Sequence, residues 1–133
     1  MSAPGDDPAW LQMGVAAALC RQFESDQREF LPLIAQTLRS AFPDEVEVRE
    51  QGWFSAKRIV GVLLNLPEEV FAIEDPGRGA LRLTRKKVVR GIALKTEEMD
   101  PAEWVAFISE VLAQRARANV ATRDALARLA GTI

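Results

Sequence analysis

The sequence predicts an α+β domain with N-terminal helices, an antiparallel meander of four to five strands, and C-terminal helices packed on one sheet face. Three observations carry that prediction. Apolar residues recur at helical three- and four-residue steps near both ends of the chain. Between residues 46 and 94 they alternate with polar ones or form short branched runs, as strands do. The strand segments are joined by turns too short for the crossovers that parallel pairs need.

Each element has its own justification. Asp7-Pro8 reads as a helix start, since aspartate caps free N–H groups and proline is tolerated at the first helical position. Leu11, Val15, Leu19 and Phe23 then share one helix face. Phe30, Leu31, Ile34, Leu38 and Phe42 form a second helical series. The polar stretch Ser25–Glu29 and Pro32 predict a break near residues 26–31, because an interior proline removes a ladder bond. Val46 and Val48 alternate with charged residues, and Gln51-Gly52 signals a turn. Ile59–Leu66 and Val70–Ile73 read as the next strands. Asp75-Pro76-Gly77-Arg78-Gly79 is the strongest turn, and strand character resumes at Leu81 and continues through Val88-Val89 to Leu94. Asp100 and Glu103 have capping-box spacing, with Glu97 and Glu98 favouring the positive end of the same helix. Trp104, Phe107, Ile108, Val111 and Leu112 give that helix its apolar stripe, Asn119 marks a kink, and Gly131 is a natural terminator. The domain division is a flexible N-terminus over residues 1–6 and a single α+β domain over 7–133.

Composition narrows the chemistry. The chain has 133 residues, no histidine, no tyrosine and one cysteine. A Ser-His-Asp or Cys-His catalytic unit, an imidazole metal site and an internal disulfide are therefore excluded within it. No catalytic, cofactor-binding or metal-binding residues are predicted. Cys20 lies in an apolar run and reads as a buried small hydrophobe. Trp10 and Trp104 fall on apolar helix faces and read as core. The longest uncharged run, Pro8 to Cys20, is too short to span a bilayer, and Asp6 and Asp7 stand where a signal peptide would be basic. A cytoplasmic protein is expected.

Charge is unevenly placed. Residues 77–96 carry seven basic side chains and no acidic one, in a chain whose net charge is −2. The functional reading is a nucleic-acid surface built from Arg82, Arg85, Lys86, Lys87 and Arg90, with Trp53 and Phe54 as a stacking platform. The plainer reading has these charges solvated or paired with Glu45, Glu47, Glu50 and Glu74 on neighbouring strands. In a regular strand Arg82, Thr84 and Lys86 share one face and Arg85 and Lys87 the other, so no single flat patch can hold them all. Gly77-Arg78-Gly79 starts like a dinucleotide fingerprint, but Arg82 replaces the third glycine and a strand follows, so it reads as a hairpin turn.

The stretch Val88–Glu98 followed by Trp104 resembles small uncharacterised α+β proteins of high-GC bacteria, a resemblance that brings no assigned activity. In size and element order the chain is also similar to the chaperones of bacterial secretion systems. Those chaperones usually insert a helix among their strands, and none is expected here. The function expected is a non-enzymatic protein-binding domain, adaptor or chaperone-like, and a homodimer. Nucleic-acid binding through residues 78–95 is the alternative.

Overall fold

The computed structural model describes residues 8–53 and 56–131. The expected cap Asp7, the flexible start over residues 1–6, and Phe54 lie outside them. Two helices open the fold, α1 (Pro8–Ser25) and α2 (Gln27–Ala41). The break between them falls at Asp26, whose backbone is extended and whose carboxylate accepts from the Arg28 and Glu29 N–H groups at 3.0 and 3.4 Å. Pro32 does not end α2. It stands on the exposed side of the second turn, where losing one ladder bond is tolerated because Phe30, Leu31 and Ile34 are buried around it.

Five strands follow: β1 (Val46–Gln51), β2 (Arg58–Asn65), β3 (Glu69–Glu74), β4 (Arg82–Val89) and β5 (Ile92–Glu98). They form one antiparallel sheet in sequence order. The strand character expected to run through Leu94 is thus two strands, and Glu97 and Glu98 belong to β5 rather than to a helix start. The chain closes with α3 (Pro101–Ala118) and α4 (Val120–Ala130). Asp100 is the cap residue of α3, but its side chain makes no capping bond, so the expected capping box is not formed. At Asn119 the chain turns extended and caps a separate helix, its side-chain oxygen accepting from Thr122 N–H at 3.1 Å.

Register explains where the core sits. Val48, Val62, Ile73 and Leu83 lie opposite one another across four strands. Val46, Leu64, Phe71 and Arg85 form the next row, so a charged residue ends an apolar series. A bulge opposite Arg49 and Glu50 lets Ile59 join this side, where it packs against the core and lines a cavity with Pro32 and Ala35 of α2. Helix α2 lies over β1 and β2, α3 lies over β4, and α1 and α4 pack mainly on those two helices. Trp104 is buried, and its indole N–H donates to the Thr84 carbonyl at 3.2 Å. Trp10 is not core. It is 59% exposed on an outward stripe of α1 with Met13 and Ala17, because α1 turns Leu11, Val15, Ala18, Leu19 and Phe23 inward. Cys20 is half-buried, beside the core rather than within it.

Candidate docking surface

The sheet continues past its helices at the β4–β5 hairpin. Arg90 and Gly91 both have positive φ, 51° and 78°, the pattern of the two-residue turn whose twist suits a hairpin. Arginine is strained there and glycine is not, so Gly91 was the only local signal of a turn inside what reads as one long strand. Val89 and Ile92 face each other across the turn. By alternation along β4, Val89 lies on the same sheet face as Leu83. Leu83 is 4% exposed, whereas Val89, Ile92 and Leu94 are 52%, 66% and 51% exposed. These three are core-side residues with no helix of the described residues above them.

Of the cations in this region, two are engaged. Arg82, on the open sheet face, donates from Nε to Glu98 at 2.8 Å and stands opposite Glu74 in register. Arg85, on the helix side, binds Glu69 through Nε and Nη2, and its guanidinium carbon lies 4.6 Å from the centre of the Phe107 ring. The acidic partners are therefore Glu98 and Glu69. Of the acids the sequence suggested, Glu45, Glu47 and Glu50 lie on or beside β1, at the far edge of the sheet, and Arg49 is the residue that meets Glu47 and Glu74. Lys86, Lys87 and Arg90 have no ion pair among the described residues. Trp53 is 83% exposed in the β1–β2 turn, at the edge and end of the sheet diagonal to Arg90. The structure does not bring it beside the basic strand.

Two cavities flank the β2–β3 turn and share Pro67, Glu68 and Glu69. One, of about 410 Å³, is lined also by Arg85, Lys87, Val88, Val89 and Arg90 and opens beside the hairpin patch. The other, of about 520 Å³, is walled by Phe42, Leu66, Val111, Arg115 and Ala118. Nothing in the sequence marks Arg115 as special, because its surroundings come from three separate segments.

Asp75 accepts from the Gly77 N–H at 2.8 Å within the β3–β4 turn, and Glu98 is held by Arg82. Burial, helped by the Glu24 charge, pushes the Cys20 thiol above its ordinary pKa, which keeps it protonated and a poor nucleophile. Among the described residues there is no group of three side chains suited to a metal ion, and no helix is long and apolar enough to cross a membrane. No protein-family model, curated protein or solved structure matches the chain.

Proposed function

We propose that this chain is a non-enzymatic protein-binding domain, adaptor or chaperone-like, which docks its partner on the uncovered helix-side face of the β4–β5 hairpin. The observation that carries this reading is the exposure of Val89, Ile92 and Leu94 on the face that is core elsewhere in the sheet. Exposed apolar residues are ordinary one at a time, but three neighbours rimmed by charge are the usual form of an interaction site. Lys87 and Arg90 beside the patch favour an acidic partner. A second copy docking patch to patch would set these cations against themselves, so a homodimer would use another surface. The Trp10–Met13 stripe of α1 is the exposed apolar alternative for it. A cytoplasmic location belongs to the same reading, on the sequence grounds given above.

The test compares wild type with Ile92→Lys/Leu94→Lys as bait in native lysate, after urea titration shows equal stability. A partner retained by wild type and lost by the variant supports the reading. An identical captured set overturns it. Nucleic-acid binding is less well supported, since Arg82 and Arg85 are already paired and Trp53 is remote. It predicts salt-sensitive oligonucleotide anisotropy that disappears in Lys86→Glu/Lys87→Glu.

A further inference from the structure

The geometry points to the cavity around Arg115 as a binding site for a carboxylate carried on an apolar group. This goes beyond the docking patch and does not rest on it. Arg115 stands in the last turn of α3, half-buried. Its Nε donates to the Ala41 carbonyl at 2.8 Å, and its guanidinium carbon lies 5.0 Å from the centre of the Phe42 ring. Those two contacts fix the guanidinium plane while using one of its five N–H groups. The remaining four belong to a pre-oriented fork of the kind that takes both oxygens of a carboxylate.

The contrast with Arg85 is informative. Both arginines are half-buried and both lie over a phenylalanine, but Arg85 has Glu69 and Arg115 has no ion pair among the described residues. A cation withdrawn from water without a counter-ion is costly, and a bound anion offsets that cost. Capping the end of α2 at Ala41 accounts for Nε but not for the cavity beyond it. That cavity, about 520 Å³, is within the range of small-ligand sites, and Phe42, Leu66, Pro67, Val111 and Ala118 make most of its wall. Glu68 and Glu69 also line it; Glu69 is neutralised by Arg85, and the remaining Glu68 charge disfavours a dianion such as phosphate. The ligand that fits is a single negative charge at the arginine and an aliphatic or aromatic body against the wall. The C-terminal residue of a peptide and a free apolar acid both have that chemistry.

The experiment is a ¹⁵N–¹H titration of the full chain with three probes: octanoate, the peptide acetyl-Ala-Ala-Leu with a free carboxylate, and the same peptide as its C-terminal amide. Expected are amide shifts over residues 66–69 and 111–118 with one or both acids, and roughly tenfold weaker binding of the amide. Octanoate alone binding identifies a free acid as the ligand, and tighter peptide binding identifies a chain terminus. Arg115→Gln should weaken acid binding roughly ten- to hundredfold. Because Arg115 also holds Ala41, Ala118→Trp is the second variant. It fills the cavity from an exposed position, keeps the arginine, and should abolish the shifts. No response to either acid, equal binding of acid and amide, or unchanged binding in Ala118→Trp would each overturn the assignment.

Discussion

Replacing Arg85 tests whether the basic strand is committed to the fold or free to serve a ligand. Its side chain and that of Glu69 are 19% and 26% exposed, so the pair is only partly screened by water. Removing one partner of a charged hydrogen bond while the other stays costs about 1.5–3 kcal/mol, and the contact with Phe107 adds about 0.5–1 kcal/mol. Residual exposure argues for the lower end, so Arg85→Met, which keeps an apolar stem over Phe107, should cost about 2.5 kcal/mol. Glu69→Gln keeps an acceptor and should cost about 1.5 kcal/mol. With both changes no charge is stranded, and a total near 2.5 kcal/mol leaves a coupling of about 1.5 kcal/mol. Urea unfolding of the four proteins gives the cycle, and repeating it in 1 M NaCl should shrink the coupling only modestly. A coupling below about 0.5 kcal/mol would place the pair with exposed surface bridges. Arg85 would then be as available to a phosphate backbone as Lys86 or Lys87, and the docking reading would lose ground to the nucleic-acid one.

Other outcomes follow from single sites. Gly14 faces Ala130, and a Cβ added there would lie 2.8 Å from the Ala130 Cβ. Gly14→Ala should therefore lose about 1 kcal/mol in urea unfolding, overpacking outweighing the helical gain, and Ala130→Gly in the same chain should restore it. The buried Ser109 hydroxyl has no hydrogen-bond partner among the described residues, so Ser109→Ala should be neutral or stabilising by up to about 1 kcal/mol. A loss greater than about 0.5 kcal/mol would reveal a partner for that hydroxyl. Cys20 should react with iodoacetamide more slowly at pH 7 than a free thiol, accelerate as pH rises and supplies thiolate, and react faster in Glu24→Gln.

The α+β order was legible because the helical series each run over several turns while the strand segments are short and bounded by turn signals, and because Asp26 and Asn119 are good caps where the helical patterns pause. The β4–β5 hairpin was not. Its turn begins with Arg90, a residue that rarely takes positive φ, and the acidic end of β5 imitates the acidic approach to a helix. Trp10 shares the apolar character of α1 and yet is exposed, because that apolar face is wider than the part its neighbours cover. Pairings such as Arg85 with Glu69 depend on register between strands and cannot be counted off along one of them. The Arg115 cavity needs the end of α2, the β2–β3 turn and the last turns of α3 together, so spacing along the chain contains no trace of it.

The uncovered hairpin follows from widths. Two packed helices lie 8–10 Å apart and cover roughly 20 Å, about the span of four strands at roughly 4.8 Å spacing. A five-stranded meander under α2 and α3 has one strand too many. With α2 over β1 and β2 and α3 over β4, that strand is β5, which is exposed along its whole length. Geometry alone would be satisfied by a polar hairpin, and lysine or glutamate on an edge also discourages sheet-to-sheet aggregation. Lys95, Glu97 and Glu98 supply that protection at one end of β5, while Ile92 and Leu94 with Val89 leave the other end apolar. An amphipathic segment laid beside α3 over these residues would complete the helical layer and put its polar edge against Lys87 and Arg90. Substitutions there should then leave folding unchanged and abolish docking, because the apolar side chains have no packing to lose until the partner arrives.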